Sequence, residues 1–473
     1  MDLVSSYPRN LAYTLKKLEN FTKQTVKVMP DRSEVNFGDV VRFKLPSSAM
    51  IDFRTIAIFA DVTLPSTAGT CIYHLPRNTN SLIQQLTITC NGVQICNIND
   101  YNLLYNTLYD LEGADFSQTS KRFLENPDPS VFYLSGTVAA ANSPINFIAP
   151  FDKTVAENVE TARPILITNL LGFIGSCSTP CIDLNDTGDI YIEFRLSPTS
   201  VLWGAGAENA FISAAAAKLS NIRLTCSKIN FESSEYYNLK SQKLLEDNLL
   251  IGYYDYWTAR GSSVTKKSNV NMNFNINTNS LDQCIATFQK SDYQTNKNLV
   301  LKGSDAAGDD ATRTFNYLLS TQQSSTTNEA AGVGDMFNQS YYFMRAGCDL
   351  LTSQWSINST NIDPYPLPPS EIWHQNLIAL GNQQMDLGTS GVHAGCVSLF
   401  HFLKYYFCHI LSLENLSGDG QFYRSGLSGN GSTINIGYQA TFNSTNEETI
   451  SPVIFCRSTK ILSIQNGHIV SVY

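Results

Sequence analysis

Charge is scarce in this 473-residue chain: 15% of its residues are Asp, Glu, Lys or Arg, against 43% hydrophobic. With a net charge of −9 it has too few clustered cations for its whole surface to be a nucleic-acid footprint. Long apolar runs are missing too. No stretch approaches 18 uninterrupted apolar residues, and MDLVSSYPRN lacks the apolar centre of a secretory leader, so neither a membrane span nor secretion is expected. Several Asn-x-Ser/Thr sequons, Asn338 and Asn443 among them, are then by-products of an Asn-, Ser- and Thr-rich chain. Paired C-x-x-C units are absent from the eleven cysteines, and Cys177 and Cys181 of CSTPC supply one loop's worth of ligands for a tetrahedral zinc. Reduced thiols are expected.

Catalytic patterns are lacking as well. GSDAAGDD carries Asp309 and Asp310 where a phosphate loop needs Lys followed by Ser or Thr, so its charge has the wrong sign. GAGAEN has no third glycine for a dinucleotide turn, and SGLSGNG is not a nucleophile elbow. The six histidines include no H-E-x-x-H pair; His401 and His409 would lie about 26 Å apart on a strand, too far to share a metal. No local pair of carboxylates stands out. The aromatic run YYDYWTAR, residues 253–260, could be a sugar or base platform, but core or interface packing is the stronger reading. The expectation is a protein that is not an enzyme, with no cofactor, no metal and no small-molecule substrate.

What the chain does have is uncharged polar residues between short apolar runs, the composition of a turn-rich β protein. Its length exceeds the roughly 250–300 residues one core serves, so at least two domains are expected. The first 32 residues differ, with six basic residues against three acidic ones on an otherwise acidic body. Within them Leu11, Leu15, Leu18 and Phe21 share one helical stripe, with Lys16 and Lys17 off it. The spacing predicts an amphipathic basic helix, docked on its own domain, a neighbouring subunit or a membrane. These six residues are the candidate contact of a terminal arm.

From about residue 33 the period becomes two: VVRFKLP, TIAIFADVTL, and then LTITCNGVQICNI, where Asn91-Gly92 between alternating runs signals a hairpin. A helix is expected over YNLLYNTLYDL, capped by Asp100. SPINFIAPF, PILITNLLGFIG, DIYIEFRLS and NIRLTCSKINF follow as short β-like runs. The second half repeats this order with VNMNFNINTN, SLDQCIATF, YYFMRAG and QWSINST as strands, SEIWHQNLIAL as a helix, and INIGYQATF, VIFCRSTKILSI and HIVSVY at the close. MIDFRTIAIF and SLDQCIATF echo each other with Asp52 and Asp282 230 positions apart, the offset that also separates Cys226 from Cys456. Residues 231–261 between the halves read as polar and partly helical, a connector.

The run PILITNLLGFIGSCSTPCIDLNDTGDIYIEFRLSPTSVLW resembles the close of the first jelly roll in double jelly-roll major capsid proteins of virophages and Polinton-like viruses (Polintons and adintoviruses), through Leu170–Gly172, Pro180 and Gly188–Leu196. QWSINSTNIDPYPLPP is similar to that family's strand, turn and proline-rich loop, with Ser359 where glycine is common. The resemblance implies an all-β fold of two tandem eight-stranded antiparallel jelly rolls, with short helices in loops and an N-terminal amphipathic helix. The expected division is an arm at 1–32, a first roll at 33–232, a connector at 233–248 and a second roll at 249–473. It implies a virion capsid protein acting as a pseudo-hexagonal homotrimer that tiles an icosahedral shell. Its partners would be neighbouring capsomers, penton and minor capsid proteins, and the genome or an internal membrane through the arm. The competing expectation is a carbohydrate-binding or glycoside-cleaving β-sandwich protein.

Overall fold

In the computed structural model the described residues are 21–47, 49–64, 71–76, 78–112, 161–179, 181–206, 217–231, 238, 249–264, 269–290, 341–343, 345, 347, 349–379, 402–403, 406–414, 426–429, 431–443, 449–465 and 468–472. In the first half they form β1 (Phe21–Val28), β2 (Val35–Asn36), β3 (Val40–Lys44), β4 (Met50–Leu64), β5 (Cys71–His74), β6 (Ile83–Cys90), β7 (Val93–Ile98), helix α1 (Tyr101–Glu112), β8 (Thr161–Ile167), α2 (Phe173–Ser176), β9 (Cys181–Asp183), α3 (Leu184–Thr187), β10 (Ile190–Leu196), β11 (Trp203–Gly206) and β12 (Lys218–Phe231). The second half contributes β13 (Leu249–Arg260), β14 (Val270–Ile276), β15 (Leu281–Lys290), β16 (Leu350–Ile357), β17 (Thr360–Asn361), α4 (Pro369–Ala379), β18 (His409–Ser412), β19 (Ile434–Phe442), β20 (Ile450–Gln465) and β21 (His468–Val472).

The first half folds as two main antiparallel sheets and a two-stranded sheet of β5 and β11. One runs β1, β12, β4, β8, with β2 also on β12 and β9 on β4; the other runs β3, β10, β6, β7. In the second half the sheets run β13, β20, β15, β18 and β14, β19, β16, β17, with β21 added beside β20. Taken in chain order, each half lays its strands down identically, and the interleaving of early and late strands is that of a jelly roll. The chain is a double jelly roll, with eight strand positions per roll once β1/β2 and β8/β9 are counted as interrupted strands and the β5–β11 pair of the first half and β21 of the second are set apart as additions.

Period-two sequence explains the layers. In β10 Ile190, Ile192, Phe194 and Leu196 point inward and are buried, while Tyr191, Glu193 and Arg195 alternate with them. β19 does the same with Ile434, Ile436, Tyr438, Ala440 and Phe442. Trp355 on β16, wholly buried, lies 4.6 Å from the Tyr438 ring and fills the centre of the second roll.

The hairpins β6–β7 and β16–β17, which end the two four-stranded sheets, turn on left-handed residues: Asn91 and Gly92 in the first roll (φ 48° and 81°), Asn358 and Ser359 in the second (φ 49° and 65°). Two successive positive φ angles give the twist that two strands need across a two-residue loop. Each hairpin leads to its helix, α1 or α4, as the patterns over YNLLYNTLYDL and SEIWHQNLIAL predict.

Three expectations need correcting. Phe21 does not close a helix; it starts β1, which pairs along its whole length with β12, from Phe21 opposite Phe231 to Val28 opposite Leu224. Only Val26-Lys27-Val28 alternates with period two, and the pairing with β12 outweighs the helical spacing that ends at Phe21. The first sheet therefore starts twelve residues before the expected boundary at 33. The connector reading of 231–261 fails from Leu249 onward, where the chain becomes the twelve-residue strand β13. YYFMRAG, expected as a strand, is a 3₁₀ turn at Tyr341–Phe343 followed by a single bridge from Arg345 to Tyr406. SPINFIAPF and the arm residues Leu11, Leu15, Lys16, Lys17 and Leu18 lie outside the described residues.

Candidate functional site

Among the described residues no group of three His, Cys, Asp or Glu side chains converges on a metal position. A hydroxyl–imidazole contact that resembles catalytic machinery, Ser353 Oγ to His409 Nδ1 at 2.8 Å, sits in the second core, with both residues buried. Burial holds the His409 pKa down to about 3. The ring lies between Trp355 and Tyr438, so it stays neutral and packs. Cys90, Cys96, Cys177, Cys181, Cys226, Cys284, Cys408 and Cys456 are free; Cys284 and Cys456, register partners on β15 and β20, touch at 3.4 Å between sulfurs.

The most elaborate polar constellation is the seam between the rolls. β13 is an edge strand of its sheet, and its outer edge is capped by the loop around α2 of the first roll. Ser178 N donates to Gly252 O at 2.7 Å, Gly252 N to Ser178 Oγ at 2.9 Å, and Tyr254 N to Ser176 Oγ at 2.8 Å. These bonds satisfy backbone groups that an open sheet edge would present to solvent or to another chain. The loop can come so close because of LLGFIGS. A Cβ on Gly172, at φ 76°, would meet Cys96 Sγ at 2.6 Å, and one on Gly175 would overlap the Leu170 carbonyl.

Aromatic rings bridge the cores. Phe53 meets Phe173 edge-on at 5.8 Å between centroids, and Phe173 meets Tyr253 edge-on at 5.1 Å. Tyr253 is buried, and its hydroxyl donates to Ile95 O in the first roll at 2.8 Å. Burial raises its pKa far above the usual phenol range, so the hydroxyl remains a donor. Further along β13, Thr258 Oγ1 donates to Asn99 O at 2.6 Å, and Arg260 spans both oxygens of Asp100 at 3.0 and 3.3 Å. Asp100, expected to cap α1, instead sits at φ 49° and gives its carboxylate to Arg260 across the seam. Behind the seam, Asp255 pairs with Lys460 at 2.5 Å, and Lys460 stands 4.7 Å over the Trp257 ring.

The two echoed aspartates mark a second matched feature. Each lies at an irregularity where the β4 or β15 ladder loses register against β12 or β20. In the first roll four residues, 53–56, bulge out opposite Cys226, which carries Phe53 to the seam. The Asp52 carboxylate accepts from Arg54 Nε at 3.0 Å and from Arg54 N at 3.2 Å, with Lys23 Nζ 3.8 Å away. Burial pushes the Asp52 carboxyl up, but the Arg54 hydrogen bonds and the two positive charges outweigh it and hold the pKa below the ordinary value. In the second roll Asp282 is fully buried and accepts from Ser280 Oγ and Thr459 Oγ1, both at 2.7 Å. There burial dominates over those bonds and over the Arg457 charge, and the pKa is raised.

The sequence reading of YYDYWTAR as packing holds, and the partner is the first roll. Tyr253, Thr258 and Arg260 were not picked out as seam residues; the β-branched and aromatic content of LLIGYYDYWTAR was the available signal.

Two matched lobes joined edge to loop define a double jelly-roll protein. No protein-family profile matches the chain, and no curated protein sequence is similar to it. Solved structures are similar over almost the full length. The PBCV-1 virus capsid superposes with a TM-score of 0.56 at 12% identity, covering 96% of this chain and 97% of the other. PBCV-1 VP54, fitted into a reconstruction of the virophage Sputnik, gives 0.55 at 12% identity with the same coverage. The Sputnik virophage structure gives 0.52 at 11% identity, covering 96% and 89%.

Proposed function

We infer that the chain is the major capsid protein of an icosahedral DNA virus, working by self-assembly and not by chemistry, with the virion as its site of action. The observation that carries this reading is the pairing of two rolls that agree strand for strand and are locked by a polar and aromatic seam, over the full length shared with the PBCV-1 capsid. Two similar lobes in one rigid chain make a threefold assembly a six-cornered tile. Affinity to the virophage and Polinton-like group in particular, the homotrimer, and contacts with neighbouring capsomers, penton and minor capsid proteins belong to the same proposal. So does engagement of the genome or an internal membrane by the basic arm, through Leu11, Leu15, Lys16, Lys17 and Leu18. The carbohydrate-binding alternative loses its main support, since Tyr253 of the aromatic run is spent on the seam and Tyr254 and Trp257 lie under Arg457 and Lys460.

Light scattering on the purified chain tests the proposal: three copies of 52.4 kDa give about 157 kDa. Negative-stain images are expected to show threefold particles with hexagonal outlines. A clean monomer at micromolar concentration rules the capsomer out.

A further inference from the structure

Matched positions in the two rolls differ in what their sulfur faces. Cys226 on β12 and Cys456 on β20 hold corresponding places, opposite Val26 of β1 and Trp257 of β13, and both are buried. On its other side Cys226 meets the bulge at 53–56, Phe-Arg-Thr-Ile, which contains no cysteine. Cys456 instead meets Cys284 of β15, its direct register partner although 172 positions away in sequence. Both residues are 0% exposed and their sulfurs lie 3.4 Å apart. A buried cysteine commonly acts as a small apolar filler, but filling does not require two sulfurs to face each other. Residues directly opposite in an antiparallel ladder have Cα atoms roughly 4.5–5.5 Å apart, inside the span of about 4.4–6.8 Å that a disulfide bridges. The backbone is therefore already placed, and side-chain rotation closes the sulfurs to a bond of about 2.05 Å.

We propose that Cys284 and Cys456 are a modification site: hydrogen peroxide converts the two thiols to a disulfide that staples β15 to β20 in the second roll. One thiolate of the pair attacks a peroxide oxygen, the O–O bond breaks, and the departing hydroxide takes that thiol's proton as water. The resulting sulfenic acid is attacked by the second sulfur; the S–S bond forms, and the hydroxyl leaves with the second proton as another water. Two thiols are oxidised and one peroxide is reduced. Sulfurs this deeply buried exclude a bulky oxidant, which is why a small peroxide is the reagent. Burial and the neighbouring Cys284 hold the Cys456 pKa well above the usual thiol range, so thiolate is scarce and the reaction is slow. The staple sits where it holds most. β20 pairs with β13, β15 and β21, and β13 carries the seam to the first roll. The bridge also closes residues 285–455 into one loop, which restricts the unfolded chain far more than a short loop does. This inference does not depend on the capsomer reading.

The test uses the full chain, purified with reductant, freed of it, and exposed to hydrogen peroxide. Remaining thiols are alkylated in denaturant and the peptides are mapped by mass spectrometry. The expected result is a linked pair of peptides holding Cys284 and Cys456, about 2 Da lighter than the two reduced peptides and separated by dithiothreitol. Thermal melts of the treated chain are expected to rise by about 5 °C or more and to fall back on reduction. Cys456→Ala and Cys284→Ala are each expected to abolish both the linked peptide and the rise, while Cys226→Ala keeps both. Peroxide treatment that leaves Cys284 and Cys456 alkylated as free thiols overturns the proposal, and the parent chain alone decides this. So do sulfinic or sulfonic acids at these positions, links from either residue to another cysteine, or a rise in melting that survives in Cys456→Ala.

Discussion

The two rolls use an aspartate at the same broken place in the same strand and solve its burial in opposite ways. Asp52 is held by Arg54, whose side chain is 69% exposed, so the bulge of the first roll is tied to charges at the surface. Asp282 has two hydroxyls and no route to solvent, so the equivalent bulge is part of the core. The difference follows from surroundings. The four-residue bulge at 53–56 opens the first roll toward the seam, whereas the second roll skips one residue and closes over it. A shared topology thus fixes where the ladder breaks, and local packing decides whether the carboxylate there acts as an ion or as a hydrogen-bond acceptor that resists ionisation.

The comparison is broken most severely by removing a strand from one roll alone. Deleting residues 1–20 is expected to leave a cooperative melt, while deleting 1–32 removes β1 and the salt-bridge partner Lys23, and is expected to give aggregation or loss of the native transition. Chaotrope titration followed by tryptophan fluorescence distinguishes the two.

Next in size is the ring that joins the rolls. Tyr253→Ala is expected to cost about 3–5 kcal/mol, as for other large aromatic truncations. Tyr253→Phe, which loses only the bond to Ile95 O, is expected to cost about 1 kcal/mol. Urea unfolding of both variants measures the split.

The aspartates themselves separate by pH. The Asp52 pKa is lower folded than unfolded, so its stabilisation is complete above the ordinary carboxylate value of about 3.9 and is lost as pH falls through the folded value. The Asp282 pKa is higher folded than unfolded, so the sign reverses. Its contribution is largest below about 3.9 and declines as pH rises through the folded value. Asp282→Asn is therefore expected to flatten the stability profile on the high-pH side of that window, and Asp52→Asn on the low-pH side. Equal profiles for the two variants between pH 3 and pH 7, measured by thermal melts, would show that the bulges are electrostatically alike.

The smallest effect lies in the hairpin turns. Ser359→Gly relieves a left-handed serine at φ 65° and is expected to stabilise by about 1 kcal/mol. Gly92→Ser installs the same strain in the first roll, where no atom lies within 4 Å of an added Cβ, and is expected to cost a similar amount. Differential scanning calorimetry resolves shifts of this size.

Much of this was legible in the linear pattern because strands write their two faces with period two and tight turns need particular residues. The echo of Asp52 and Asp282 marks equivalent strands, and Asn91-Gly92 marks a hairpin, because both signals are local. β1, and β13 where the connector was read on to residue 261, were misread for one reason. Their neighbours in sequence are helical or polar in character, while what makes them strands is pairing with β12 and β20, roughly 200 residues away in each case. The arm residues of the candidate site stayed an expectation, since amphipathic spacing names a face and not what covers it.

By itself the sequence determined an all-β chain in two halves of like order, through periodicity, turn chemistry and a repeated Asp-containing strand, all of which act over a few residues. Only the tertiary structure decided which edge of the second lobe is sealed against the first. That depends on backbone groups of β13 meeting Ser176 and Ser178 across the seam, a contact between segments about 75 residues apart with no mark in either one alone.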